Sequence, residues 1–494
     1  MTQEPAPQTP AQPSAAALQD HLVVTHHTLT VGGAELRYTA TAGTLVLREE
    51  RHKDGVWEGD KPKATVFVVA YSKDGADPGR RPVTFAFNGG PGSSSVWLHL
   101  GALGPKRVLM DELGHPTPPP YRLIDNAHTL LDVTDLVFID PVSTGYSRAA
   151  PGEKPADFHA FNEDIASVGD VIRLYTSRYG RWSSPKFLIG ESYGTTRAAG
   201  LAGYLQERHG MYLSGLMLVS SVLDFQTLLF EAGNDLPYSL FLPAYTATAW
   251  YHSRLPEALQ RRPLREVLRE VEAFALGEYA LALLQGANLE AERRAEVART
   301  LARYTGLSEA YVERCDLRLE IGRFTKELLR DAGRTVGRLD SRFTGFDRDA
   351  AGERPLYDPS YATIQGPYTA TLNDYVRREL GFASDLPYEI LTNLYETWSY
   401  KAFENRFVSV SDTLRKAMSI NPHLKVHVAS GVFDLATPYF ATAYTLSHLG
   451  LAPELRGNLS TSTYEAGHMM YVHEASLAKL KGELGRFILT SQAT

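Results

Sequence analysis

Residues Gly190-Glu191-Ser192-Tyr193-Gly194 lie between two runs of opposite character. Before them, Lys186-Phe187-Leu188-Ile189 reads as a short buried strand; after them, Thr195 to Gln206 reads as a helix. A chain that passes from strand to helix within five residues needs a tight bend, and the flanking glycines keep Cβ atoms out of it. The pattern glycine–any–serine–any–glycine in this strand–turn–helix setting lifts the Ser192 hydroxyl out of the sheet to where a base can reach it.

The remaining strands fit one sheet. Val83-Thr84-Phe85-Ala86-Phe87 ends at Asn88-Gly89-Gly90, Leu136-Val137-Phe138-Ile139 at Asp140-Pro141, and Leu216-Met217-Leu218-Val219 at Ser220-Ser221. Continuous apolar strands separated by helices such as Asp164 to Tyr179 indicate a parallel sheet covered on both faces. In such sheets the functional loops lie at the carboxyl ends of the strands. Upstream, Leu22–Val24, Ala34–Tyr38, Thr44–Leu47 and Ala64–Val69 are short β-rich runs, with a hairpin signal at Gly32-Gly33. They are expected to open the sheet as antiparallel strands. From about Phe225 to Trp398 the strand rhythm stops: Leu264, Val267, Leu268, Val271 and Phe274 keep helical spacing, and helical stretches continue through Ala291–Arg303 and Ser308–Arg330. The sheet resumes at Val426-His427-Val428-Ala429 and again at Asn458–Tyr464. The expectation is an α/β fold with a mostly parallel central sheet flanked by helices. Its core spans 21–224 and 399–494, a helical cap insertion spans 225–398, and a disordered tail rich in Pro, Gln and Ala spans 1–20.

Size and charge narrow the class further. A chain of 494 residues exceeds one small core. With 50 Lys and Arg against 57 Asp and Glu, the net charge of −7 gives no reason to expect a nucleic acid or an anionic membrane as partner. No apolar run is long enough to span a bilayer and no secretory signal is visible, so a cytoplasmic location is expected. The single cysteine, Cys315, excludes an intramolecular disulfide and reads as a packing residue. No histidine, cysteine or acidic cluster has metal-ligand spacing, so neither metal nor cofactor is called for. A homo-oligomer is left open.

A serine hydroxyl needs a base to take its proton, and the base needs an acid to hold its tautomer. In a sheet of this kind the chain order is serine, acid, histidine. Ser192, Asp434 and His468 follow that order, each in a loop ending a strand. Other histidines fit less well: His473 falls in the next helix, His427 inside a strand, and His26 and His27 in the N-terminal β region. The developing oxyanion needs N–H donors, for which Tyr193 and the Asn88-Gly89-Gly90-Pro91-Gly92 loop are placed. That loop is not a phosphate loop, because no Lys-Ser or Lys-Thr follows it.

These residues resemble the serine carboxypeptidase family of α/β-hydrolases, in a bacterial-type form without disulfides. Asn88 to Ser95 is similar to the family's N-G-G-P-G-C-S-S loop, Leu103-Gly104-Pro105 to its L-G-P, and Phe138 to Ser147 to its F-L-D-x-P-V-G-x-G-F-S segment, one residue shorter. Gly190–Gly194 is similar to G-E-S-Y-A-G and Ala466–Met469 to A-G-H-M, so the resemblance covers about 82–222 and 410–490. It implies hydrolysis of the C-terminal peptide bond of peptides through an acyl-enzyme, with Ser192 as nucleophile, His468 as base and Asp434 as its partner. It also implies an oxyanion hole from the Gly90 and Tyr193 amides, and binding of the substrate carboxylate by Asn88 and Glu191. The last role requires a protonated Glu191, since two ionised carboxylates cannot share a hydrogen bond.

The chain departs from the family at three places. Ala102 stands where the family has a second carboxylate-binding Glu, Ala86 where it often has Trp, and Ser93 where it has a cysteine. An Arg or Lys of the insertion could serve the carboxylate instead, although Arg338 and Arg342 themselves read as a solvated basic face. The same triad would serve an esterase, an acyltransferase or another exopeptidase, and a non-catalytic binding protein on a retired scaffold is the third class.

Overall fold

The computed structural model describes residues 18–492, so most of the expected tail, 1–20, lies outside the described residues. Three long antiparallel strands open the chain: β1 (His21–Val31), β2 (Ala34–Lys53) and β3 (Val56–Lys73). Gly32 and Gly33 take φ of 58° and 82° at the first turn, a conformation only glycine adopts without cost. Sequence runs Ala34–Tyr38 and Thr44–Leu47, expected as two strands, belong to the single β2. Beyond Leu47 and before Pro62 the hairpin is mostly exposed, so its charged residues show no in–out alternation.

The sheet continues through β4 (Val83–Phe87), β5 (Asp135–Ile139), β6 (Lys186–Ser192), β7 (Gly215–Ser221), β8 (Lys425–Gly431) and β9 (Leu459–Tyr464). Its order is β1-β2-β3-β5-β4-β6-β7-β8-β9. Pairing is parallel from β5 to β9, and β3 meets β5 antiparallel. Both faces of the central strands are buried, and successive residues feed opposite cores. Leu136 and Phe138 join one apolar cluster; Val137 and Ile139 join the other. This is why the strands read as unbroken apolar runs rather than alternating ones.

Helices α1 (Phe161–Arg178) and α2 (Tyr193–His209) cover one face with Ile165, Val168, Leu201 and Leu205. Between β7 and β8 come α3 (Leu236–Tyr251), α4 (Leu264–Phe274), α5 (Ala291–Thr305) and α6 (Pro359–Arg378), and a short antiparallel pair, Arg334–Val336 with Thr344–Phe346. The expected helix over 308–330 is broken instead, with Asp316 and Leu317 at φ of 51° and 59°. Helix α6 and the C-terminal α7 (Glu474–Thr490) pack Tyr368, Leu372, Leu477 and Leu480 on the second face of the sheet. A third apolar cluster joins Leu240, Phe241, Val267 and Leu301 of the inserted helices to Val432, Phe433 and Leu435 of the loop after β8. The loops after β4, β6, β8 and β9 all leave the carboxyl edge of the sheet, where Asn88, Ser192, Asp434 and His468 stand.

Candidate active site

Ser192 ends β6 with φ 60° and ψ −130°, a backbone conformation that a serine adopts only under strain of about 1–3 kcal/mol. The strain is held by crowding. A Cβ at Gly190 would collide with the Gly194 carbonyl, and one at Gly194 would lie 2.8 Å from the Phe87 carbonyl oxygen. Tyr193 opens α2, so its N–H is among the first helical amides, which no carbonyl of the same helix can accept. Gly89 packs directly against that amide, which sets the Gly90 loop beside the turn. The loop is tied from behind by Arg197 of α2. This buried guanidinium donates to the Asn88 carbonyl at 2.5 Å and pairs with buried Asp164 at 2.8 Å.

His468 donates through Nδ1 to Asp434 Oδ2 at 2.7 Å, which leaves Nε2 unprotonated in the neutral ring. Asp434 is fully buried, and its acceptors are well supplied. Oδ1 receives the Ala436 and Thr437 N–H groups at 2.7 and 3.0 Å, and Oδ2 receives the Thr437 hydroxyl at 2.7 Å. Burial acts to lower the His468 pKa, but the neighbouring Asp434 charge and hydrogen bond outweigh it, so the net shift is upward.

The histidine loop is also held from the insertion. The His468 N–H donates to the Leu339 carbonyl at 2.7 Å, and the Gly467 N–H to Asp340 Oδ2 at 3.0 Å. The adjoining backbone is tied to the acid loop, with Leu435 N–H donating to the Arg338 carbonyl and Ser341 N–H to the Phe433 carbonyl, both at 3.0 Å.

Glu191, beside the serine, is fully enclosed. Asn88 Nδ2 donates to its Oε1 at 3.0 Å, and the Tyr471 hydroxyl to its Oε2 at 2.6 Å. Burial pushes the carboxyl up to about 7, against the opposing pull of His468 and the Tyr471 hydroxyl. It is therefore a carboxyl that carries its proton in mildly acidic water and can donate a hydrogen bond. Asn88 spends Oδ1 on the Leu98 N–H at 3.1 Å, which fixes which end of its amide faces Glu191.

Asn88, Gly90, Glu191, Ser192 and His468 all line one cavity of about 480 Å³. Its other walls include Trp97, Tyr361, Ile364, Leu391 and Met469. Ser93, in the place of the family's cysteine, accepts the Trp97 indole N–H at 2.9 Å and so aims that wall. Ala102 is buried among apolar side chains and is not part of the cavity lining.

The structure thus brings Ser192, Asp434, His468, Asn88, Glu191, Gly90 and Tyr193 to one edge of the sheet. Sequence reasoning missed Tyr471, Thr437 and Asp340. It also grouped Arg338 and Arg342 as one solvated face, and the two differ. Arg342 is buried against Asp340, with Nε and Nη2 at 2.9 and 2.7 Å from its oxygens, whereas Arg338 lies exposed on the cavity wall.

A mostly parallel sheet with a strained serine at a strand–helix turn, and an aspartate-paired histidine lining the same cavity, has the fold of an α/β-hydrolase. Residues 51–265 match the model of the serine carboxypeptidase family. Among curated proteins it is 24% identical over 222 residues to Serine carboxypeptidase-like 45 of Arabidopsis thaliana, covering 42% of this chain and 44% of that one. It is 33% identical over 119 residues to Carboxypeptidase Y homolog A of Emericella nidulans, covering 24% and 19% of the two chains. The chain thus spans less than half the length of these relatives. The fold is that of a prohormone-processing carboxypeptidase from Saccharomyces cerevisiae, with a TM-score of 0.56, 16% identity and 91% of each chain covered.

Proposed function

We propose that the protein is a serine-type carboxypeptidase that releases the C-terminal residue of peptides. The observation that carries this reading is Glu191. An ordinary serine hydrolase has no need of a buried, protonatable carboxyl next to its nucleophile. Here one is held by Asn88 and Tyr471 on the wall of the cavity that contains Ser192 and His468.

His468 Nε2 takes the Ser192 proton as Oγ attacks the carbonyl carbon of the last peptide bond. The carbonyl π electrons move to oxygen, and the Gly90 and Tyr193 N–H groups receive the resulting oxyanion. Asp434 keeps the Nδ1–H tautomer and stabilises the imidazolium, which then protonates the leaving nitrogen. The terminal amino acid departs and an ester to Ser192 remains. Water, deprotonated by the same histidine, attacks the ester, and collapse restores Ser192 and frees the shortened peptide. The protonated Glu191 and the second N–H of Asn88 bind the terminal carboxylate, which limits attack to the last bond.

A second reading, an esterase or acyltransferase with the same triad, is favoured by Ala102, which leaves Glu191 without the family's second acid. The two separate on a peptide mixture with free and amidated C-termini, followed by mass spectrometry. Single-residue loss from the free acids alone, abolished in Ser192→Ala, supports the carboxypeptidase. Equal cleavage of both sets, or residual release by Ser192→Ala, refutes it.

A further inference from the structure

A terminal carboxylate is an anion, and Asn88 and a protonated Glu191 are both neutral donors. Moving an anion from water into a partly enclosed cavity is costly unless a cation meets it. Where the family has a second acid the chain has Ala102, which adds no donor to the cavity. The cavity does hold one guanidinium.

We propose, building on the carboxypeptidase reading, that Arg338 is the cationic anchor for the substrate's terminal carboxylate and completes the subsite begun by Asn88 and Glu191. Three observations support this. First, Arg338 lines the same cavity as Asn88, Glu191, Ser192 and His468. Second, its side chain makes no ion pair among the described residues, whereas Arg342, four residues on, is fully engaged by Asp340. Third, its backbone is pinned on both sides. The Arg338 N–H donates to Asp358 Oδ1 at 3.0 Å, its carbonyl accepts from Leu435 N–H, and the next carbonyl accepts from His468 N–H. The guanidinium is therefore carried on a segment whose position is set by the catalytic acid and base loops.

The other charged or titratable groups lining the cavity are Glu191, His468, Asp358 and the phenols of Tyr361 and Tyr395. Asp358 caps helix α6, and its Oδ1 accepts from Ser360 N–H and Oγ as well as from Arg338 N–H. Its role in the turn accounts for its presence at the rim. The apolar part of the remaining wall, Trp97, Tyr361, Ile364, Leu391 and Met469, suits an apolar side chain of the departing residue, while Thr392, Asn393 and Tyr395 add only neutral polar groups. An acidic side chain against that apolar part would be desolvated with no second cation to meet it, so the anion that fits Arg338 is the backbone carboxylate. Arginine offers that group two parallel N–H donors, a geometry lysine lacks.

The experiment compares wild type, Arg338→Gln and Arg338→Lys on four peptides: one sequence ending in Leu or Glu, each as free acid and as amide. Fluorophosphonate labelling of Ser192 reports that each variant is folded. The expected result is a fall in kcat/KM on both free acids by roughly 30-fold in Arg338→Gln, expressed in KM, with partial recovery in Arg338→Lys. The acid-to-amide preference should collapse accordingly. An unchanged preference in Arg338→Gln overturns the assignment, and so does a loss confined to the Glu-ended peptide, which would place the guanidinium on a side chain. A wild type that cleaves acid and amide equally fails at the earlier step and refutes the carboxypeptidase reading itself.

Discussion

Replacing Glu191 by Gln removes the ionisable carboxyl from the site without removing its volume. Burial holds the wild-type carboxyl at about 7. On the proposed reading, Glu191 below that value carries the proton that it donates to the substrate carboxylate; above it, two anions face each other. At pH 8, one unit above, about a tenth of the sites remain protonated, so KM for a free-acid peptide rises roughly tenfold over its acid plateau, equivalent to ~1.4 kcal/mol. A glutamine cannot ionise. Its carbonyl keeps the Asn88 bond, and its amide donates to the Tyr471 oxygen once that hydroxyl turns to accept. KM of Glu191→Gln should then stay flat from pH 6 to 9.

The acid limb should survive in both proteins. Protonated His468 cannot accept the Ser192 proton, and its pKa is raised in the folded chain, so activity falls as pH drops through that value. Stability supplies an independent check. The Glu191 carboxyl is raised from 4.5 to about 7, so the folded state binds the extra proton between those values. Its contribution is fully present below 4.5 and is lost as pH rises through 7, by about 3 kcal/mol on the linkage relation. Urea midpoints at pH 4.5 and 8 should show that loss in wild type and not in the variant. Superimposable alkaline limbs in the KM profiles of the two proteins would refute the reasoning.

Three further changes test neighbouring parts of the site. Tyr471→Phe removes a hydrogen bond that holds the Glu191 pKa down, so the alkaline limb of the KM profile should move upward by about one pH unit. Asp434→Asn should lower kcat on the order of 10⁴-fold with little change in KM, because the amide no longer enforces the Nδ1–H tautomer; steady-state kinetics at neutral pH reads both. Asp340→Asn leaves the buried Arg342 without its counter-charge and loosens the Gly467 amide. A stability loss of about 3–5 kcal/mol in urea melts is expected, together with a lower kcat.

What could be read from the residues follows from where sequence and environment coincide. Strands such as β5 are buried on both faces, so they appear as apolar runs, and the loops that end them carry the polar residues that betray the site. The order Ser192, Asp434, His468 was legible for the same reason. The long hairpin of β2 and β3 was not, because its outer half is charged and solvated and is held by backbone pairing and surface ion pairs such as Lys63–Glu49 rather than by an apolar face. Tyr471 sits in the apolar run Met469-Met470-Tyr471-Val472, where it reads as packing. Only the short 3-10 turn over Met470–Val472 carries it to where its hydroxyl reaches Glu191. The different fates of Arg338 and Arg342 depend on how residues 337–342 thread between two distant loops, and no local pattern encodes that path.

That path bears on what the insertion does. A lid that merely covers a site affects access and leaves the chemistry to the core. Here the inserted residues share hydrogen bonds with both loops of the His468–Asp434 pair: Leu339 and Asp340 receive the His468 and Gly467 amides, and the Arg338 carbonyl receives the Leu435 amide. Phe433 and Leu435, on either side of Asp434, are buried in the same apolar cluster as Leu240 and Val267 of the inserted helices. The acid–base pair is thus held partly by the segment that also walls the cavity with Tyr361, Ile364 and Leu391. On the proposed reading, binding and catalysis are coupled through shared backbone. A packing change among the inserted helices should therefore appear in kcat through the His468 loop as well as in KM through the cavity wall, whereas a change confined to the wall, at the exposed Leu391, should appear in KM alone.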